Sequence, residues 1–168
     1  DWGGNGPPLL LLHGDMRTSR SWDAVAKQLA SRFHVIALDA RGHGDSEWTP
    51  RGYSVSDRVE DLAAFCEHVG LRGALAVGHS SGGATVALCA QRLPKAFGRL
   101  VLMEPLVVYD TSREPASLWG NRPRRTWSSR EECREYLKKH AFAGRWRHDV
   151  IDDVVDHETM ELPDGSLT

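Results

Sequence analysis

The sequence predicts an α/β protein with a doubly wound, mostly parallel β-sheet, followed by a smaller helical region. Four short apolar runs recur along residues 1–105, and the gaps between them carry apolar residues at helical spacing. Strands that alternate with helices build βαβ units, whose strands lie parallel in one sheet. A length of 168 residues suits one domain with its own hydrophobic core.

The predicted strands are short and apolar from end to end. They cover residues 9–12, 35–38, 74–77 and 100–103. A strand with one solvated face alternates apolar and polar residues, whereas a strand covered on both faces is apolar throughout. We therefore expect all four strands to lie inside a parallel sheet with helices on both faces.

Helices are predicted in the segments between the strands. Their apolar positions are Trp22, Val25 and Leu29, then Val55, Val59, Leu62, Cys66 and Val69, then Ala84, Ala87 and Leu88. Ser54, with Asp57 three residues later, is typical of a capping box at the start of the second helix. Gly70 and Pro94 predict the ends of the second and third helices.

The pattern changes after Pro105, because no further apolar run of that kind occurs. Residues 106–168 are rich in Arg, Trp and polar helix formers. The elements predicted there are a helix capped by Ser129 and Glu132 that reaches about His140, a helix over residues 146–155, and a Pro-Asp-Gly turn at residues 163–165. The sequence therefore predicts a core at residues 1–105 and a second region at residues 106–168.

Composition and charge argue against several classes of partner. The chain has 21 Lys and Arg against 23 Asp and Glu, so neither nucleic acid nor an anionic membrane surface is expected to bind it. Its apolar runs are too short to cross a bilayer, and no leader pattern opens the sequence. The expected ligand is a small, roughly neutral molecule, and nothing in the sequence indicates an oligomeric state.

The cysteines and the candidate ligand patterns indicate no prosthetic group. Cys66, Cys89 and Cys133 are an odd set, typical of buried free thiols in a reducing compartment, so we expect a cytoplasmic protein. Histidines and acids do not fall at the spacing of a metalloprotease helix. Gly42 and Gly44 follow a strand but lack the third glycine of a dinucleotide fingerprint. No metal and no cofactor are therefore expected.

Gly78-His79-Ser80-Ser81-Gly82 is the motif that carries chemistry. It follows a predicted buried strand directly and opens a predicted helix, which is the context of a nucleophile elbow. The sharp turn holds the serine in a strained backbone geometry with its hydroxyl raised at the sheet edge, and small residues on both sides let the chain pass closely. Ser80 is therefore predicted to be a catalytic nucleophile.

Two backbone N–H groups are predicted to form the oxyanion hole beside that nucleophile. Ser81 lies at the N-terminus of the helix, where free N–H groups and the helix dipole favour an anion. The second donor is expected in the loop after the first strand, where His13 and Gly14 allow close backbone approach. Asp15 N–H is the predicted donor, and Met16 N–H is the alternative.

Four segments resemble the α/β-hydrolase superfamily, in particular its branch with a single short cap. They are residues 9–14 (LLLLHG), 39–46 (DARGHGDS), 78–83 (GHSSGG) and 100–105 (LVLMEP). The resemblance implies that the predicted strands are the third to sixth of the family's eight, and that the chain from about residue 106 onward is the cap over the substrate. It also implies a catalytic acid after strand seven and a catalytic histidine after strand eight, both beyond Thr168.

The resemblance further implies that this chain is an N-terminal part of a hydrolase. The sequence begins with Asp1 rather than Met, so we expect its natural start to lie upstream and strands one, two, seven and eight to be missing. A serine without its general base is a poor nucleophile, and unpaired sheet edges are a liability. Residues 1–168 alone are therefore expected to have negligible esterase activity.

None of the histidines considered as the general base is a strong candidate. His13, His43 and His79 lie in loop motifs, where the family uses such residues to shape the backbone near the site. His140, His148 and His157 lie in the second region, where a solvated helix face explains them.

Glu104 is the candidate acid within the chain. It ends the fourth predicted strand, a position that some family members use for the acid that orients the histidine, and a local hydrogen bond at the strand end is the alternative. Asp39 also ends a strand and is predicted to brace the loop at residues 41–46. The arginines and tryptophans of residues 119–134 could form a nucleic-acid patch, but neighbouring glutamates offset them, so a salt-bridged helix is expected. Binding of a substrate carboxylate by these arginines is a minor alternative.

The predicted function is hydrolysis of carboxylic esters of small apolar substrates through an acyl-enzyme on Ser80. Serine at the elbow argues against epoxide hydrolases and haloalkane dehalogenases, which resemble this chain but carry aspartate there. C–C bond hydrolases and cofactor-free haloperoxidase-like members keep the serine and are alternatives. A non-catalytic, ligand-binding member is a further alternative, because a fold does not by itself define an activity.

Overall fold

The computed structural model describes residues 1–106 and 125–168. The chain divides into two compact units, Asp1–Tyr109 and Asp110–Thr168. The division lies close to the boundary predicted after residue 105. Within the described ranges, none of the helices has the length and apolar character needed to cross a bilayer.

Strands and helices alternate through the first unit. Its elements are β1 (Pro8–Leu12), α1 (Asp23–Leu29), β2 (His34–Leu38), α2 (Val55–His68), β3 (Ala74–His79), α3 (Ser81–Arg92) and β4 (Phe97–Met103), with a 3₁₀ turn at Ser19–Trp22 before α1. The strands form one parallel sheet in the order β2-β1-β3-β4. The predicted α/β class with a parallel sheet is confirmed.

The leucines of β1 supply both faces of the sheet. Leu10 and Leu12 belong to a buried cluster with residues of α2 and α3, and Leu9 and Leu11 belong to a second cluster with Trp22. Successive side chains of a strand point to opposite faces, so helices on both sides bury all four leucines. The continuous apolar run therefore indicated the correct position for β1.

The last strand, β4, departs from that expectation. Leu100, Val101, Leu102 and Met103 are between 38% and 47% exposed. In the part of the chain that the structure describes, β4 ends the strand order and has no strand on its outer edge. The prediction that all four strands are covered on both faces is therefore wrong for β4. An apolar run shows that a strand can be buried, but burial also requires neighbouring elements that pack on it.

The ends of the helices follow the predicted signals. Ser54 Oγ accepts the N–H of Asp57 at 3.2 Å, and the Asp57 carboxylate accepts the N–H of Ser54 at 3.0 Å, so the capping box of α2 is confirmed. Gly70 follows α2 with φ of 62°, the left-handed conformation in which a helix commonly ends. α3 ends at Arg92, two residues before the predicted stop at Pro94.

The second unit contains the predicted helices and turn. They are α4 (Arg130–Lys139) and α5 (His148–His157), with a 3₁₀ turn at Ala143–Arg145 between them and a turn closed by Gly165 N–H and the Leu162 carbonyl. Ser129 Oγ accepts the N–H of Glu132, which confirms the cap of α4. The Glu132 carboxylate, however, accepts from Ser128 rather than from Ser129.

A small core and ion pairs join α4 to α5. Cys133, Ile151 and Val155 are buried together. Arg134 Nε donates to Asp152 at 2.6 Å, so the prediction of a salt-bridged helix is confirmed for this arginine. Other members of the predicted basic and aromatic cluster lie outside the described residues: Trp119, Arg122 and Arg124.

Candidate functional site

The strand order identifies the end of the sheet at which a site is expected. From β1 the chain moves outward to β2, and it then crosses back to β3 on the other side of β1. The loops that follow β1 and β3 therefore leave in opposite directions, and ligands of open α/β sheets bind at such a switch point. Residues 13–16 follow β1 and Ser80 follows β3, so the predicted site residues meet there.

Ser80 occupies the sharp turn between β3 and α3. Its φ of 51° and ψ of −120° form a combination that L-residues adopt only under strain. Its N–H donates to the Met103 carbonyl at 2.9 Å, and its own carbonyl accepts the Leu106 N–H at 2.9 Å. The chain at the end of β4 therefore holds the strained residue from both sides.

Close backbone packing accounts for the glycines around Ser80. A Cβ at Gly78 would lie 2.5 Å from the Gly82 carbonyl oxygen, and a Cβ at Gly82 would lie 2.4 Å from the His13 carbonyl oxygen. A Cβ at Gly14 would lie 3.0 Å from the Ser80 Cβ. The turn and the loop after β1 are thus in direct contact, and glycine at positions 14, 78 and 82 permits this close approach.

The side chains of the predicted oxyanion donors, Asp15 and Ser81, touch each other. Ser81 Oγ donates to Asp15 Oδ1 at 3.0 Å, and Arg58 Nη1 donates to the same oxygen at 2.7 Å. Ser81 is 1% exposed, and the Arg58 side chain is 13% exposed. The structure therefore brings Asp15 and Ser81 together beside Ser80 and adds Arg58.

Sequence reasoning missed Arg58. The signal that could have found it is its place in α2, four residues before the buried Leu62, which puts an arginine at the edge of an otherwise apolar helix face. A charged residue at such a position needs a partner, since a buried unpaired charge is costly.

Backbone strain gathers at the same end of the sheet. In the described residues, the non-glycine residues with positive φ are Met16 at 62°, Ser80 at 51° and Glu104 at 43°. They follow β1, β3 and β4, respectively. Strained residues of this kind cluster at functional sites because folding alone does not favour them. Met16, the alternative oxyanion donor, is 68% exposed.

His13 braces two backbone segments. Its Nδ1 lies 2.8 Å from the Gly14 carbonyl oxygen, and its Nε2 lies 3.0 Å from the Ala40 nitrogen, which donates to it. The neutral ring with its proton on Nδ1 satisfies both contacts. Burial lowers the pKa of His13, which favours this neutral form. The ring therefore shapes backbone, as predicted, and has no free nitrogen for Ser80.

Asp39 braces the loop after β2, as predicted. Its carboxylate accepts the Ser19 N–H at 2.6 Å and the Asp45 N–H at 3.1 Å. Its backbone carbonyl accepts the Ser46 hydroxyl at 2.8 Å. His43 makes a similar local contact, with Nδ1 3.0 Å from the Arg41 carbonyl oxygen.

Glu104 lies at the end of β4, between the two residues whose backbones bond to Ser80. It is exposed, and its carboxylate has no hydrogen-bond or ion-pair partner within the described ranges. The local hydrogen bond considered as the alternative is therefore absent there, and the role of catalytic acid stays a prediction. Likewise, no histidine nitrogen of residues 1–106 hydrogen-bonds Ser80 Oγ.

A cavity of about 340 Å³ is lined by the chain after β1 and β2 and by residues of α2 and α3. Its lining includes Leu12, His13, Arg58, Gly82 and Thr85, and Ser80 is not part of it. Thr85 Oγ1 already donates to the Ser81 carbonyl, and both nitrogens of His13 are engaged. The polar groups of Thr85 and His13 that line this cavity are therefore already bonded within the protein.

Comparison with known proteins identifies the family. The sequence model of the alpha/beta hydrolase fold family matches residues 7–140. The chain belongs to the alpha/beta hydrolase family. The resemblance recognised in the sequence motifs is thereby confirmed.

Two curated relatives of this alpha/beta hydrolase family member are named as enzymes. A bifunctional esterase/perhydrolase of Acinetobacter calcoaceticus is 36% identical over 123 residues, which cover 70% of this chain and 45% of that protein. A non-heme haloperoxidase of Rhodococcus erythropolis is 37% identical over 124 residues, which cover 70% of this chain and 44% of that protein. The chain thus spans less than half the length of these relatives.

Solved structures share the same architecture. The crystal structure of E-2-(acetamidomethylene)succinate hydrolase superposes with a TM-score of 0.77 at 26% identity, covering 98% of this chain and 61% of that one. An alpha/beta hydrolase of Novosphingobium aromaticivorans gives a TM-score of 0.78 at 22% identity, covering 98% and 60%, respectively. The second likeness shows the fold alone.

Proposed function

We propose that this protein is a serine hydrolase in which Ser80 attacks the carbonyl carbon of a carboxylic ester of a small apolar substrate. The observation that carries the proposal is the strained Ser80 at the switch point of the sheet, at the start of α3 and beside Asp15 and Ser81. The similarity of the chain to an esterase/perhydrolase supports the same reaction class.

The proposed reaction has two halves. In the first, Ser80 Oγ bonds to the carbonyl carbon and its proton passes to a general base, while the N–H groups of Asp15 and Ser81 stabilise the oxyanion. Collapse breaks the bond to the alcohol, which leaves with that proton. In the second half, water adds to the acyl-enzyme, the carboxylic acid is released, and the proton returns to Ser80 Oγ.

The general base of this scheme is a histidine supplied from beyond Thr168. This part of the proposal follows from the family resemblance and from His13, whose ring nitrogens are both occupied. Glu104 is the proposed acid within the chain, next to the backbone that holds Ser80. The second unit is the proposed cap over the substrate.

A second candidate reaction is perhydrolysis. It is favoured by the similarity to the esterase/perhydrolase and to the haloperoxidase. Hydrogen peroxide would replace water in the second half, so that the acyl-enzyme yields a peracid and free Ser80. Formation of peracid from an ester and peroxide, absent in Ser80→Ala, distinguishes this reaction from simple hydrolysis.

The test uses the natural polypeptide that contains residues 1–168. We expect Ser80→Ala to abolish both turnover of p-nitrophenyl acetate and covalent labelling by a fluorophosphonate. Ser31→Ala is the matched control, since Ser31 is exposed and its hydroxyl donates to the nearby Gln28 carbonyl. Ser31→Ala should keep activity within twofold. Full labelling of Ser80→Ala would show that the nucleophile lies elsewhere.

A further inference from the structure

Asp15 places a carboxylate on a residue whose own N–H is proposed to bind an oxyanion. A negative charge there repels the charge that develops in the transition state. We propose that Arg58 is a positioning residue that neutralises the Asp15 carboxylate and thereby keeps the oxyanion hole effective. This inference rests on the proposed function of Ser80.

The size of the repulsion makes a neutralising partner necessary. Two like charges about 6 Å apart at an effective dielectric constant of about 20 repel strongly enough to slow a reaction on the order of a hundredfold. The carboxylate and the N–H of one aspartate are separated by only a few bonds, so the oxyanion bound at Asp15 N–H would lie within this range. An oxyanion hole with an uncompensated Asp15 would therefore work against itself.

The geometry directs Arg58 at that charge. Its Nη1 lies 2.7 Å from Asp15 Oδ1, and this is the hydrogen bond that its side chain makes in residues 1–106. Arg58 Nε is buried without an acceptor there. The arginine side chain is 13% exposed and that of Asp15 is 31% exposed, so solvent and salt screen the pair less than a surface pair.

Asp15 Oδ1 also connects the two proposed donors mechanically. The oxygen that accepts from Arg58 accepts from Ser81 Oγ at 3.0 Å, and Ser81 opens α3. Neutralisation of the Asp15 charge and tethering of the loop through Asp15 Oδ1 respond differently to substitution. Asparagine at position 15 keeps an acceptor oxygen for both bonds but removes the charge, whereas methionine at position 58 removes the neutralising charge and leaves the carboxylate in place.

The test compares Arg58→Met, Asp15→Asn and the double variant in the natural polypeptide that contains this chain. With p-nitrophenyl acetate we expect Arg58→Met to lower kcat at least tenfold with KM changed less than twofold. Asp15→Asn, which removes the repelling charge and keeps the acceptor oxygen, should leave kcat within twofold. The double variant should recover at least fivefold over Arg58→Met. Arg92→Met is the matched control, because Arg92 pairs with Glu60 on the exposed surface of α2 and α3.

The outcomes separate neutralisation from simple tethering. A double variant no better than Arg58→Met, or an Arg58→Met variant with full kcat, overturns the inference. If circular dichroism shows that Arg58→Met is unfolded, Arg58→Lys and Arg58→Gln replace it. Equal kcat in those two variants then overturns the inference, and a kcat at least fivefold higher in Arg58→Lys supports it. Retained activity in Ser80→Ala refutes the proposed function instead, so the two failures are distinguishable.

Discussion

Substitution of Gly82 by alanine tests whether backbone contact at the start of α3 sets the geometry of the site. The new Cβ would lie 2.4 Å from the His13 carbonyl oxygen, 1.0 Å closer than the 3.4 Å at which ordinary contact begins. Neither partner is a flexible side chain, so α3 or the loop after β1 must move by about that distance. Overpacking of this kind costs about 1–3 kcal/mol of stability.

The same shift affects chemistry more than stability. Ser81 N–H, at the start of α3, donates to the oxyanion in the proposed reaction, and a displacement of about 1 Å in a catalytic geometry can cost on the order of a hundredfold in rate. We expect Gly82→Ala to slow fluorophosphonate labelling of Ser80 by about that factor. Labelling rate and the urea midpoint of unfolding are the measurements.

Gly83→Ala is the graded control for this prediction. Its Cβ would lie 2.9 Å from the Gly78 carbonyl oxygen, which is 0.5 Å closer than ordinary contact at 3.4 Å. The displacement needed is therefore half of the 1.0 Å needed for Gly82→Ala. We expect a smaller loss of both labelling rate and stability. Wild-type labelling by Gly82→Ala, or a larger loss in Gly83→Ala, would refute the steric argument.

Three further predictions concern buried groups and the chain by itself. Cys66, Cys89 and Cys133 are buried, so Ellman's reagent at pH 8 should label these thiols only after denaturation. Burial and the hydrogen bond that Cys66 donates to Cys89 raise the pKa of Cys66, and burial raises that of Cys133, whereas the same bond lowers the pKa of Cys89, which burial alone protects. Rapid labelling of any of the three in the native state contradicts this prediction. Burial lowers the pKa of His13 in the folded protein, so as pH falls His13 takes up a proton in the unfolded chain before it does so in the folded one. The free energy of unfolding should therefore drop between pH 7 and pH 5. A drop of equal size in His13→Gln would show that His13 is not its cause. Residues 1–168 alone should turn over p-nitrophenyl acetate negligibly, and steady turnover that Ser80→Ala abolishes would implicate a base within the chain.

The parts of the fold that follow from local pattern could be predicted from the sequence. The leucines of β1, the capping box of Ser54 and Asp57, and the strand and helix that flank Ser80 each depend on residues within a few positions of one another. Periodicity, caps and turn residues record such local requirements directly. The alternation of these elements was then sufficient for the class of sheet.

Contacts between distant segments could not be predicted in the same way. Arg58 reaches Asp15 across 43 residues, and Ser81 reaches it across 66 residues. Such pairs depend on how α2 and α3 pack on one sheet face, which periodicity does not specify. The exposure of β4 likewise depends on which elements lie beside it, and its apolar sequence did not indicate that it would be exposed.

The exposed strand and the strained serine are connected by backbone hydrogen bonds. Ser80 bonds to Met103 at the end of β4 and to Leu106 just after it, so the position of β4 in the sheet fixes the turn that carries the candidate nucleophile. β4 pairs with β3 from Ala74 to His79, directly up to that turn. An element that covers the outer edge of β4 would therefore stiffen Ser80 through the same bonds, because strain at a turn persists only where its surroundings hold it in place.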